Sequence, residues 1–137
     1  VRKIKAERLK AISRIKKSNK SFYHELDNTL FSATSSTFIG KVYADFGLKN
    51  IADAASKADD GGYPQLQNEY LIASNPNIIF LADAQYGEDA NKVALRPGWS
   101  EISAVKTMKI ISLPADISSR WGPRIIEFYR IVADALS

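Results

Sequence analysis

The sequence predicts an α/β domain: a three-layer, Rossmann-like lobe with a mostly parallel central sheet and helices on both faces. Three observations carry that prediction. Residues 78–82, Ile-Ile-Phe-Leu-Ala, are apolar without alternation, and a strand of that kind is buried on both faces, as parallel strands beneath helices are. An amphipathic stretch with Leu66, Tyr70, Leu71 and Ala73 at helical spacing precedes it and stops at Asn75-Pro76, where a helix cannot continue. Helical and extended segments then alternate along the whole chain in the order α-β-α-(β)-α-β-α-β-α, which fits parallel strands joined by crossover helices.

Composition bounds the function. At 137 residues, with 45% apolar and 10% aromatic content, the chain fits one domain with a real core. No apolar run approaches the roughly 20 residues of a membrane span. Cysteine is absent and His24 is the single histidine, which excludes disulfides and thiolate sites and argues against a His-rich metal site or Ser-His catalysis. The net charge of +4 divides unevenly. Residues 1–20 hold nine Lys/Arg against Glu7, whereas residues 21–137 hold ten against fourteen Asp/Glu. The globule is therefore mildly acidic, and the basicity belongs to one terminal segment rather than to a nucleic-acid-binding face.

In chain order, residues 1–17 read as a helix, with Ile4, Leu9, Ile12 and Ile15 forming a stripe among basic residues. Its periodicity begins without a capping residue, so the helix is expected to continue upstream of Val1. Its charged side reads as a solvated face, the alternative being a helix laid on nucleic acid or anionic lipid. Residues 21–26 read as a strand and 27–37 as a polar loop. Residues 38–46 form a helix through Phe38, Ile39, Val42, Tyr43 and Phe46, capped by Ser36 or Thr37 and stopped by Gly47. Residues 48–52 are briefly extended, and Asp59-Asp60-Gly61-Gly62-Tyr63-Pro64 is turn chemistry. A polar loop, 83–99, follows the apolar strand, and Pro97-Gly98 marks a turn before a short helix that Ser100 would cap and that runs through Val105. Residues 108–113 give the last strand and 115–122 another loop. A closing helix starts near Pro123 and buries Ile125, Ile126, Tyr129, Val132, Ala133 and Leu136.

Phosphate-loop, dinucleotide, nucleophile-elbow and paired metal-ligand signatures are missing, which weighs against an enzyme. What remains is loops 27–37, 83–99 and 114–122. Each follows a strand, so in a right-handed parallel arrangement all three emerge at the carboxyl edge of the sheet, where α/β domains bind ligands. They bring Phe31, Ser35, Ser36, Tyr86, Arg96, Trp99, Arg120 and Trp121 towards one surface. Rings supply contact area and arginines pair with carboxylate, phosphate or chelate oxygens, so the set suits a large planar or anionic ligand. Structural roles compete at several positions. Trp99 would serve equally as a lid over the core, Arg124 would bond loop carbonyls, and His24, inside a strand, reads as a buried, hydrogen-bonded histidine rather than a metal ligand. Glu25 and Asp27 have acid–base character with no nucleophile beside them. A flavodoxin-like enzyme or regulatory domain would need an acidic cluster or phosphate loop at the strand ends, for which Asp83 alone is little.

Several stretches together resemble the extracytoplasmic substrate-binding proteins of ABC importers for ferric siderophores, haem and cobalamin, and specifically their C-terminal lobe. These are Phe22-Tyr23-His24-Glu25-Leu26; Thr37-Phe38-Ile39-Gly40-Lys41 with Phe46-Gly47 and Asn50-Ile51-Ala52; Gln65 through Asp83, with Asn77 where Asp is usual; and Arg96-x-Gly98-Trp99 with Ala104-Val105-Lys106. Arg120-x-Gly122-Pro123-Arg124 completes the series. The resemblance implies that residues 1–19 are the distal part of an interlobe helix and 20–137 the C-terminal ligand-binding lobe. A signal or lipid anchor and an N-terminal lobe would then lie upstream. It implies a non-enzymatic binding protein without a cofactor, whose partners are a metal chelate, its own N-terminal lobe and the membrane permease, and not nucleic acid. A ferric siderophore is the expected ligand, with haem or cobalamin as alternatives. Lys41 stands where such proteins carry a permease-docking Glu, so that role passes to no residue here, although Asp45 is a nearby acid.

Overall fold

A computed structural model describes residues 20–57, 61–84, 87–113 and 125–136. The predicted first helix and the roles expected of Tyr86, Arg120, Trp121 and Arg124 therefore lie outside the described residues.

Four parallel strands form one sheet in the order β2-β1-β3-β4. They are β1 (Ser21–Glu25), β2 (Lys49–Asn50), β3 (Ile78–Leu81) and β4 (Ile110–Ser112). The two apolar strands share the middle, with Phe22 opposite Ile78 and Glu25 opposite Leu81. Every residue of β3 is buried, as its lack of alternation predicted.

Because side chains alternate along a strand, the sheet divides the core into two. Phe22, Ile78 and Phe80 face one side with Val42, Tyr43, Phe46, Phe128 and Val132, supplied by α1 (Phe38–Asp45) and α5 (Ile125–Leu136). Tyr23, Ile79 and Leu81 face the other with Leu71, Val93, Trp99 and Ile102, from α2 (Asn68–Ser74), α3 (Ala90–Ala94) and the segment leading to α4 (Ser103–Lys106). The layers are those the sequence predicted.

Local chemistry sets the ends of these helices. Thr37 caps α1 by accepting the Gly40 N–H at 2.9 Å, and Gly47 beyond its end has φ 74°. Asn75 terminates α2 with φ 49°, and its Oδ1 accepts the Ser103 N–H at 2.7 Å, tying α2 to α4. At Gly40 a Cβ would lie 1.8 Å from the Thr34 carbonyl oxygen. Only glycine lets α1 approach the loop after β1 so closely.

Three segments depart from expectation. Residues 64–67 do not join α2. Gly62–Leu66 instead runs antiparallel to Leu30–Thr34, with Ser32 N–H donating to Pro64 O (2.9 Å), Thr34 N–H to Gly62 O (2.8 Å) and Leu66 N–H to Leu30 O (2.9 Å). Within the expected loop 83–99, Asp89 caps the five-residue α3 by accepting the Lys92 N–H at 2.9 Å. Helical periodicity was faint there because Val93 is the residue α3 buries. Ser100 caps no helix: residues Trp99–Glu101 form a 3-10 turn, and extended backbone at Ile102 (ψ 135°) separates it from α4.

Candidate functional site at the carboxyl edge of the sheet

The carboxyl ends of β1 and β3 carry an unusual density of buried charge. Glu25, the last residue of β1, is fully buried. Arg96 closes on it with both arms, Nη1 donating to Oε1 at 2.6 Å and Nη2 to Oε2 at 2.8 Å. The fork of a guanidinium matches a carboxylate in this geometry. Nη2 also donates to Glu88 Oε2 at 3.0 Å, and the guanidinium carbon lies 4.6 Å from the centre of the Trp99 ring. Tyr23 OH donates to Glu25 Oε1 at 3.2 Å. Burial works against the charge on Arg96, but pairing with Glu25 and then Glu88 outweighs it and raises its pKa. Burial first, and then Glu25, push the Tyr23 phenol up.

Asp83 lies beyond β3 in the same cluster. It is 2% exposed, and neither carboxyl oxygen has a hydrogen-bond partner. Burial, followed by the neighbouring Glu25 and then Glu88, raises its pKa to about 8. A carboxyl group there holds its proton at neutral pH.

One residue back on β1, His24 faces the opposite side of the sheet. Its Nδ1 is 2.6 Å from the Tyr43 hydroxyl, and its Nε2 has no partner. Burial lowers its pKa to about 4, so the ring is neutral. No group of three or more His, Cys, Asp or Glu able to hold a metal occurs among the described residues. Asp27 accepts from Thr29 N–H (3.0 Å) and Oγ1 (2.6 Å) in a turn, while Glu25 is engaged by Arg96, so the two carboxylates serve separate local structures.

The sequence-predicted residues distribute unevenly around this edge. Phe31 is 37% exposed, and its carbonyl accepts the Leu26 N–H at 2.9 Å, which holds the backbone of residue 31 beside the end of β1. Arg96 reaches the same strand end, but two carboxylates occupy its donors. Ser35 lies towards β2, where Asp53 accepts from both its N–H (2.8 Å) and its Oγ (2.7 Å). Ser36 is exposed, and its Oγ is 2.7 Å from Thr34 Oγ1. Trp99 is wholly buried against Tyr23, and its indole N–H donates to Asn68. That is the core-lid role, taken because the Pro97-Gly98 turn folds the ring inward over α2.

Two features escaped sequence reading. Tyr63, 44% exposed, stands on the ribbon that pairs Phe31 with Gln65. In an antiparallel pairing, residues 31, 63 and 65 share a face, which makes Tyr63 a second exposed ring near Phe31. The Gly-Gly-Tyr-Pro sequence read as a turn because nothing local signals a strand partner 32 residues earlier. Glu88 has no periodic context, and its part in the charge cluster becomes visible only once α3 has placed Arg96. A separate cavity of about 440 Å³, lined by Ser21, Lys49, Asn50, Tyr70 and Ser74 among others, opens at the amino-terminal end of β1, away from this cluster.

This cluster lies at the carboxyl edge of a parallel sheet, the edge where open α/β domains bind ligands. The chain belongs to the periplasmic binding protein family, whose model matches residues 2–117. It is 33% identical over 132 residues to YvrC, an uncharacterised ABC transporter substrate-binding lipoprotein of Bacillus subtilis strain 168, covering 95% of this chain and 39% of that protein. Among solved structures, it is similar to a possible iron-binding (periplasmic solute-binding) protein of Staphylococcus epidermidis. That match has a TM-score of 0.79 and 24% identity and covers 97% of this chain and 52% of the other. It is also similar to FeuA, the triscatecholate siderophore-binding protein of B. subtilis solved with ferri-bacillibactin. Here the TM-score is 0.76 and the identity 16%, with 98% of this chain and 50% of the other covered. The chain thus spans about half the length of these structures and less of the curated relative. No described helix is long and apolar enough to cross a membrane.

Proposed function

We propose that this chain is the C-terminal ligand-binding lobe of an extracytoplasmic solute-binding protein of an ABC importer. In this reading it holds an iron chelate, a ferric siderophore ahead of haem or cobalamin, between itself and an N-terminal lobe. It then delivers the chelate to membrane permease subunits, with no resident cofactor and no chemistry on the ligand. Residues 1–19 would belong to the helix joining the lobes and residues 20–137 to the lobe itself. The observation that carries the reading is the carboxyl edge of the sheet. The loops after β1 and β3 meet there, and exposed aromatic area at Phe31 and Tyr63 lies beside a charge cluster built on β1. Family membership supports it. The acidic globule speaks against nucleic acid as a partner.

Because Arg96 is already paired and Trp99 is buried, the ligand contacts proposed within the described residues narrow to Phe31, Ser35, Ser36 and Tyr63. Tyr86, Arg120 and Trp121 remain proposed contacts on the adjacent loops. Titration of the full-length protein with ferric siderophores, haem and cobalamin, read by intrinsic tryptophan fluorescence, tests the assignment. Saturable quenching at submicromolar ligand, weakened at least tenfold by Trp121→Ala or Phe31→Ala, is the expected result. No response to any of the three overturns the chelate assignment.

A further inference from the structure

We propose that Asp83, Glu25 and Arg96 form a proton-bridged clamp that positions residues 87–98 over the carboxyl edge of the sheet, making Asp83 and Glu25 positioning residues for the ligand cleft. The clause about the cleft rests on the function proposed above; the clamp itself rests on the charge cluster.

The charge in this cluster is unmatched. Two carboxyl groups, Glu25 and Glu88, share the guanidinium of Arg96, and a third, Asp83, lies beside them. Glu25 has both oxygens on Arg96 and a further donor in Tyr23. Glu88 takes the remaining contact. Asp83 receives nothing, although it is 98% removed from solvent. Among the described residues, the titratable and charged groups facing it are Tyr23 and Glu25 from β1 and Glu88 and Arg96 from the 87–98 segment. Two ionised carboxylates are both acceptors and cannot bond each other, and an unpaired carboxylate in such a site is prohibitively costly. A single proton removes the conflict. As a neutral acid, Asp83 donates to Glu25, which in turn anchors Arg96; burial and the neighbouring Glu25 push the Asp83 carboxyl the same way.

The chain of contacts links strand to segment. In the proposed bridge Asp83 donates to Glu25 at the end of β1; Glu25 accepts both arms of Arg96, and Arg96 holds Glu88 ahead of α3. Loss of the proton leaves an excess negative charge against Glu25 and Glu88, and the 87–98 segment is then the part free to move outward.

The test uses the full-length protein. The Asp83 side-chain carboxyl is followed by ¹³C NMR from pH 5 to pH 9.5, and urea midpoints are measured over the same range for wild type and Asp83→Asn, whose amide donates as the neutral acid does. A resonance that titrates near pH 8, with a wild-type midpoint that falls between pH 6.5 and 9 while that of Asp83→Asn stays level, is the expected result. An Asp83 that titrates in the ordinary carboxylate range, or parallel midpoint curves for the two proteins, overturns the clamp. Chelate affinity at pH 6.5 and pH 9 adds the functional arm, with a fall of fivefold or more expected in wild type and no pH dependence in Asp83→Asn. Absence of chelate binding at every pH would strike the assigned function, while the carboxyl resonance still judges the clamp. The resonance also decides the matter if the variant fails to fold.

Discussion

His24 and Glu25 are neighbours on one strand, both fully buried, yet the protein solves the cost of burying them in opposite ways. On the face of α1 and α5, His24 is neutral, bonded to Tyr43 within a cluster of aromatic rings. On the other face, Glu25 is paired with a guanidinium and carries a network of Tyr23, Arg96 and, through Arg96, Glu88. Burial drives a titratable group to its uncharged form unless a counter-charge with good geometry is supplied. The first face took the former course and the second took the latter, leaving Asp83 as the surplus acid.

The contrast breaks most sharply at Arg96. Replacing Arg96 by Ala leaves the buried Glu25 carboxyl without its partner, and removing one partner of a buried pair costs about 3–5 kcal/mol. Urea denaturation of wild type and Arg96→Ala at pH 7 measures this, and a loss under about 1 kcal/mol would show that the network is not anchored as described. Tyr43→Phe on the opposite face removes one neutral hydrogen bond and leaves the His24 Nδ1 unsatisfied, for an expected loss of about 1–3 kcal/mol.

The two faces also have opposite pH signatures. The His24 pKa is depressed, from 6.5 to about 4, so its contribution is full above pH 6.5 and is lost as pH falls through 4. The Asp83 pKa is raised, from 3.8 to about 8, so its contribution is full below about pH 4 and is lost as pH rises through 8. Between pH 4 and 6.5 the two slopes oppose each other; above 6.5 that of Asp83 stands alone. Removing the ring in His24→Phe should leave a midpoint that rises as pH falls from 6.5 to 4, relative to wild type; a profile with the wild-type slope over that range would show that His24 does not titrate in this way. The smallest effect is expected far from both faces. Lys106 and Glu101 pair at 3.5 Å, but both are mostly exposed, so Lys106→Ala should change stability by less than about 0.5 kcal/mol in the same denaturation assay.

Much of the architecture was legible in the sequence because burial wrote it there. The unbroken apolar run of β3, the stripe of α5 and the Thr37 and Gly47 punctuation of α1 are each local signals of a tertiary fact. The ribbon between residues 30–34 and 62–66 was not legible, since its hydrogen bonds join segments 32 residues apart and neither alternates as a strand would. Nor was α3, whose five residues bury Val93 and are set by a cap. For the site, position along the chain indicated that loops 27–37 and 83–99 follow strand ends, as they do among the described residues. It did not reveal what each side chain meets there. Arg96 and Trp99 sit three residues apart after one turn, and a cation–ring pair of that kind reads equally as a ligand platform or as a lid. Only the location of Glu25, 71 residues away, decides where the guanidinium goes.

The two outer strands, β2 and β4, are two and three residues long, against five and four for the inner pair. An open sheet is most exposed to intrusion by foreign strands along its rims, where unpaired amides offer a template. Rims this brief give an incoming strand too few rungs to register against, and Lys49 places an exposed charge on one of them. Among the described residues, the sheet is therefore built to resist edge-to-edge aggregation by strand length.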